Sequence, residues 1–123
     1  MVWKFCGDRP IYQQIVAQIQ CAILVGEFPP GSRLPSVRDL ASAARVNPNT
    51  MQHALQELES SGLISTQGTN GKFVTDDEQI IDQTRQKQIH SLVKESIARF
   101  AEFGISPLQA GQYLTQYSKE RMS

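Results

Sequence analysis

From Asn47 to His53 the chain reads Asn-Pro-Asn-Thr-Met-Gln-His, a run of amides, a hydroxyl and an imidazole with no acid among them. Asn and Gln present a donor beside an acceptor, the pairing that matches the major-groove edge of adenine. Thr can bond a phosphate or touch a thymine methyl. Asn47, Asn49, Thr50, Gln52 and His53 are therefore candidates for reading DNA, with Asn47 serving mostly as a helix cap. Arg38 lies just inside a second helix start, where the macrodipole disfavours a cation. That penalty favours a phosphate or guanine contact over a surface ion pair with Asp39. A third group is Asn70-Gly71-Lys72. Its glycine lets backbone approach a minor groove and its lysine supplies charge.

Other chemistries find little support. The chain has two histidines, His53 and His90, in no metal-ligand spacing and with no nucleophile–base pair. Asp76-Asp77-Glu78 would fan out over different faces of a helix, so a capping and dipole role is expected. Gly71-Lys72 lacks the Gly and Ser/Thr of a phosphate-binding loop, with Thr66 and Phe73 at those places. Cys6 and Cys21 are not spaced as a zinc or redox pair; they read as a terminal thiol and a small apolar helix residue. No apolar run approaches the roughly 18 residues of a membrane span, and no signal-peptide core is present. A cytoplasmic, non-enzymatic protein with no cofactor, no metal and no membrane partner is expected.

Two closely spaced helices must position the candidates. Ser36 with Asp39 forms a capping-box pattern, and Val37, Leu40, Ala41 and Ala44 make one buried stripe. Asn47-Pro48 starts the second helix, with Met51, Ala54, Leu55 and Leu58 as its stripe. With only Arg45 and Val46 between, the two must cross sharply as a helix-turn-helix. Its second helix is the one offered to a major groove. Before them, Pro10 opens a scaffold helix carrying Tyr12, Ile15, Val16, Ile19, Ala22 and Ile23. Its opposite face, Gln13, Gln14, Gln18 and Gln20, is polar, and Gly26 is its stop. Phe28-Pro29-Pro30-Gly31 turns the chain into an extended connector, Ser32 to Pro35. After a Gly62 cap, two short alternating runs, Leu63 to Gln67 and Lys72 to Thr75, flank an Asn-Gly hairpin signal. Three helices and a hairpin specify a winged helix.

From Asp76 the composition changes. Asp82 to Gln88 is almost wholly polar, and then Ile89, Leu92, Val93, Ile97 and Phe100 recover one face before Gly104. Ser106, Pro107 and Gln109 open a last helix with Leu108, Ala110, Tyr113, Leu114 and Tyr117. The short connection predicts an antiparallel pair. The fold expected is mainly α: a winged helix-turn-helix over residues 1–75, then an antiparallel two-helix dimerisation element over 76–123. So small a tail has too little apolar surface to stand alone. The polar segment favours its meeting a twin through Ile89, Leu92, Val93, Ile97, Phe100, Leu114 and Tyr117, giving a homodimer suited to two-fold DNA sites.

Gly31-Ser-Arg-Leu-Pro-Ser-Val-Arg-Asp-Leu-Ala, Val46-Asn-Pro-Asn-Thr, Leu55-Gln-Glu-Leu-Glu, Gly62-Leu-Ile and the wing Gly68-Thr-Asn-Gly-Lys-Phe-Val resemble the GntR family of bacterial regulators. The Val-Asn-Pro-Asn-Thr variant with a short tail is similar to its YtrA-type subgroup. The resemblance is strong over about residues 10–75 and weaker in the tail. It implies a homodimeric transcriptional repressor of a neighbouring, often transporter, operon, with Arg38 contacting DNA. Many relatives carry arginine at the places of Pro48 and His53. One base contact of theirs is therefore absent here, and a neutral His53 attracts phosphate less until protonated. Charge is balanced at 12 basic and 12 acidic residues, so attraction to phosphate must come from local patches and helix ends. That balance also suits an alternative, a winged-helix module that binds another protein and not DNA. A small-molecule effector would sit between tail and winged domain or at the dimer seam, but no polar cluster marks such a pocket.

Overall fold

A computed structural model describes residues 1–122. Its elements in order are α1 (Ile11–Leu24), α2 (Val37–Ala44), α3 (Pro48–Ser60), β1 (Ile64–Thr66), β2 (Lys72–Val74), α4 (Glu78–Ala101) and α5 (Pro107–Met122). The chain divides into two compact units, Met1–Thr84 and the residues from Arg85 onward. The composition change at Asp76 marks the start of α4 and not the end of the first unit. Ile80 and Ile81, in the first turn of α4, still pack on the core of the winged domain.

That core is made by α1, α2 and α3 with the hairpin. Ile15, Ile19 and Ile23 of α1 meet Met51, Leu55 and Leu58 of α3, all at most 2% exposed. Leu40, Ala41 and Ala44 of α2 complete the helical layer, and Leu34, Leu63, Ile64 and Val74 close it from below. The helix starts follow their side-chain chemistry. Ser36 Oγ accepts from the Asp39 N–H at 3.0 Å, and Asn47 Oδ1 accepts from the Asn49 N–H at 2.8 Å. Pro48 follows in the first turn, where no N–H is needed. Asp77 caps α4 by accepting from the Gln79 N–H at 3.0 Å, the role expected of that acidic run.

Two expectations about polar residues change. Gln14 is not a solvent-facing residue; it is 3% exposed. Its Nε2 donates to the carbonyls of Cys6 and Arg9, each at 2.8 Å, and its Oε1 accepts from the Cys6 N–H at 2.9 Å. Gln18 repeats the arrangement with both backbone groups of Lys4. An amide can satisfy a donor and an acceptor of an extended segment at once, so the glutamine face binds the N-terminal segment to α1. Cys21, read as an apolar helix residue, is exposed on α1.

The hairpin also departs from the two-residue turn expected of Asn-Gly. Strands β1 and β2 pair antiparallel, Ile64 with Val74, Ser65 with Phe73 and Thr66 with Lys72. A loop from Gln67 to Gly71 joins them, with a single 3-10 turn at Gly68–Asn70, and the Gln67 N–H donates to the Gly71 carbonyl at 2.8 Å. Segment 32–34 adds a third edge: the Leu34 N–H donates to Lys72 O at 2.8 Å, and the Val74 N–H to Ser32 O at 2.9 Å. What the sequence presents as a connector is thus part of the wing sheet, with Arg33 opposite Phe73.

In the second unit, α5 opens with a full capping box. The Gln109 N–H donates to Ser106 Oγ at 3.2 Å, and the Ser106 N–H to Gln109 Oε1 at 3.0 Å. Gly104, at φ +74°, makes the corner, and Ala110 is buried there. Beyond the corner, α4 and α5 do not lie along one another. The sequence predicts an antiparallel pair; the chain forms the two helices and the tight connection without a mutual seam. The corner at Gly104 carries α5 away from α4, so Ile89, Leu92, Val93 and Ile97 on one helix and Leu108, Leu114 and Tyr117 on the other remain exposed.

Arg45, between α2 and α3, is the sole non-glycine residue at positive φ among the described residues, at +58°. The left-handed conformation lets its N–H and that of Val46 bond back to Ser42 O and Ala41 O at 3.2 and 3.0 Å, ending α2 at once. For an L-residue this conformation costs about 1–2 kcal/mol, partly offset in glycine by chain entropy. Arg45→Gly is expected to stabilise the fold by about 0.5–1 kcal/mol in urea unfolding. A lower midpoint would show that the arginine side chain itself supports the turn.

Candidate nucleic-acid interface

Helix α3 is anchored along one stripe, Met51, Ala54, Leu55 and Leu58, each at most 1% exposed. Residues three and four apart share a helix face, so Asn49, Gln52, His53 and Gln56 line the opposite side. Asn49, His53 and Gln56 are exposed; Thr50 and Gln52 are half-buried at the edges of the stripe. Asn47 spends its side-chain oxygen on the helix end, the cap expected of it. The His53 ring lies flat on Tyr12 of α1, with ring centroids 4.1 Å apart and planes 16° from parallel. Tyr12, in turn, accepts from Gln13 Nε2 at 3.3 Å. The imidazole is therefore held by the scaffold helix, a contact between residues far apart in sequence.

Arg38 is exposed in the first turn of α2. The salt bridge that a purely surface role would supply does not form: among the described residues its guanidinium has no ion-pair partner. The whole chain is neutral, yet between Phe28 and Gln56 there are three arginines, Arg33, Arg38 and Arg45, against one acid, Asp39. All three arginines are exposed. The basic excess ends there: α3 carries Glu57 and Glu59 in its C-terminal half, away from its acid-free N-terminal turn.

On the wing, Asn70 is exposed and Gly71 half-buried at the loop end. Gly71 has φ +105° and ψ −162°, a conformation open to glycine alone. A Cβ there would also lie 3.1 Å from Arg33 Nε, so the guanidinium of Arg33 occupies the space above it. Lys72 does not behave as the free wing cation that its position in the sequence suggests. Its Nζ donates to Thr66 Oγ1 at 2.8 Å and faces Glu59 of α3 at 3.5 Å, leaving the side chain 14% exposed. Thr66 Oγ1 donates to the same glutamate. Sheet parity explains the difference. Lys72 and Thr66 share a face with Val74 and Ile64, the face turned to α3, whereas Arg33, Ser65 and Phe73 share the other. Arg33 is the residue that sequence reasoning missed. The alternation Ser32-Arg33-Leu34, with Leu34 buried, is its only local signal.

The residues proposed for a dimer lie on the last two helices. Ile89, Leu92, Val93 and Ile97 are 37–62% exposed on α4, Leu114 and Tyr117 are each 64% exposed on α5, and Phe100 is half-buried near the corner. Among the described residues no group of three or more His, Cys, Asp or Glu is placed to hold a metal ion. No helix there is long and apolar enough to cross a membrane.

Comparison with known proteins matches this geometry. The family described as "Bacterial regulatory proteins, gntR family" matches residues 11–74, the whole of the winged domain from α1 to β2. The chain is 33% identical over 103 residues to the HTH-type transcriptional regulator YhcF of Bacillus subtilis, covering 84% of this chain and 85% of that protein. It is 43% identical over 70 residues to the HTH-type transcriptional repressor YtrA of the same organism, covering 57% of this chain and 54% of the repressor. A GntR family transcriptional regulator from Listeria monocytogenes superposes with a TM-score of 0.86 at 34% identity, over 91% of this chain and 98% of that one. The likeness therefore extends through the tail, and with the exposed α3 face it leaves a single conclusion: this chain belongs to the GntR family of DNA-binding transcriptional regulators, in the manner of YtrA, and is not an enzyme.

Proposed function

We propose that the chain acts as a homodimeric repressor that sets two α3 helices into successive major grooves of a roughly palindromic operator. The observation that carries this reading is a pairing of opposites. Helix α3 keeps a polar, acid-free N-terminal face clear of the core, while α4 and α5 keep an apolar one uncovered. A polar helix face beside exposed arginines suits base edges and phosphates. An exposed apolar stripe suits burial against its own copy, and the two-fold axis of such a dimer matches a two-fold operator. The likeness to the repressor YtrA supports repression as the outcome of binding, and the YtrA-type pattern supports a neighbouring operon, such as one for a transporter, as the target.

Roles divide by chemistry. Gln52, Asn49 and Thr50 read base edges; Arg38 and His53 meet phosphate or a guanine edge; Asn70 and Gly71 bring the wing to the minor groove. Asn47 stiffens the helix end, and Lys72 ties the wing to α3 through Glu59. A small-molecule effector would act through the tail by changing the spacing of the two α3 tips.

Selection of bound duplexes from a random library by the purified chain is expected to yield an inverted repeat, with half-site centres about 34 Å or a multiple apart. Retention of no sequence above background would overturn the operator reading. On the selected duplex, Arg38→Ala should weaken binding on specific and random DNA alike and flatten the salt dependence by about one unit of slope. Gln52→Ala should shift base preference; equal loss on both duplexes would remove its reading role. Leu92→Asp and Leu114→Asp should each convert a sedimenting dimer to monomer with helical content retained. A wild-type chain that sediments as monomer at micromolar concentration would rule the dimer out.

A further inference from the structure

We propose that Arg33, which lies outside the recognition helix and the wing loop, is the cation by which the wing enters the DNA minor groove, and that it selects A·T-rich operator flanks. Lys72, the lysine adjacent to the wing glycine, is turned away from that task. This inference rests on the placement of the wing against operator DNA proposed above.

Three observations converge. Arg33 belongs to the wing sheet: it bridges Phe73, and the bonds from Leu34 N–H to Lys72 O and from Val74 N–H to Ser32 O lock its register. With Leu34 buried, alternation turns Arg33 to the outer face, where it is exposed. Second, its guanidinium lies at the loop end, against the bare backbone of Gly71, close enough that any Cβ there would meet Nε at 3.1 Å. The glycine, fixed at φ +105°, and the guanidinium beside it put a charge against bare backbone at the end of the loop. Third, the competing cation is occupied, because the Lys72 ammonium is held by Thr66 and Glu59 on the opposite face of the sheet. Among the described residues Arg33 has no such partner.

An arginine is better suited than a lysine to this position. Its planar, weakly hydrated guanidinium enters the narrow minor groove of A·T tracts, where the negative potential is deepest. The N2 amino group of guanine projects into that groove and obstructs it. Inosine·cytosine pairs lack the amino group and present an A·T-like minor groove with a G·C-like major groove. They therefore separate a contact made by the wing from one made by α3.

The test uses the full chain and the selected operator with its flanks rebuilt as A·T, I·C or G·C. Wild-type protein is expected to bind the A·T and I·C forms alike and the G·C form about tenfold more weakly. Arg33→Ala should lose about tenfold on the A·T and I·C forms and bind all three equally. Arg33→Lys should recover phosphate attraction with reduced flank discrimination, and Lys72→Met should keep both the discrimination and the salt slope of the wild type. Thermal unfolding of each variant checks that the wing is intact; Lys72→Met, which loses the tie to Glu59, is expected to melt lower than Arg33→Ala. Undiminished flank discrimination by Arg33→Ala, or its loss in Lys72→Met, would overturn the proposal. If the wild-type chain binds the operator but never distinguishes the flanks, the major-groove reading stands and the role of Arg33 falls.

Discussion

The burial of Met51, Ala54, Leu55 and Leu58 against Ile15, Ile19 and Ile23 is the constraint on which the rest of the winged domain depends. A helix of 13 residues is marginal alone in water, so α3 exists because this stripe is covered. Covering it also selects the outward face, since a helix rotated to bury Leu55 must present Asn49, Gln52, His53 and Gln56. Truncating any one of the large members of the stripe would cost about 2–5 kcal/mol, a substantial part of the stability of a small domain. The core thus decides which amides α3 turns outward. The stacking of His53 on Tyr12 extends the same constraint to the surface, because α1 both supports the helix and holds one of its exposed rings.

A second consequence of the same core is the distribution of charge on the wing. Ile64, Val74 and Leu34 must face the helices, and sheet parity then sends Lys72 and Thr66 to the α3 side and Arg33 outward. The tie between Lys72 and Glu59 is a partly shielded ion pair with a hydroxyl between its partners, which joins the recognition helix to the wing. Such a pair contributes little to global stability by itself. The neutral total charge does not preclude DNA binding: Arg33, Arg38 and Arg45 are exposed, and the acids of α3, Glu57 and Glu59, lie in its C-terminal half.

The tail follows a different logic. Helix α4 runs for 24 residues, about 36 Å, and its Ile89, Leu92, Val93 and Ile97 are exposed in the part that belongs to the second unit. In water such residues are a standing drive to associate, held in check by the charged and amide residues between them. This exposed stripe is the surface on which the proposed two-fold contact rests.

Most of the fold was legible because local signals agreed with the tertiary outcome. Ser36, Asn47 and Ser106 mark helix starts by their own hydrogen-bonding chemistry, Gly62 marks an end by its left-handed backbone, and the apolar periodicities of α1, α2 and α3 name the core. A cap or a stripe is decided by residues within one turn of each other, so it survives the absence of any long-range knowledge. The outward amides of α3 followed from the stripe. What remained hidden was settled by strand register and by contacts between distant residues. Gln14 and Gln18 look like a wet helix face until the N-terminal segment lies against them. Asn70-Gly71 suggests a two-residue turn until the pairing of 64 with 74 sets a longer loop. Lys72 looks free and Arg33 looks incidental until the third strand edge assigns each to a face. A shift of one residue in that pairing would exchange their roles, and the register is settled only when Leu34, Ile64 and Val74 reach the core together. The sequence by itself determined the helices, their caps and the polar face that α3 turns outward. The tertiary structure alone decided which wing cation points outward, because side-chain direction in a sheet is set by the partner strand.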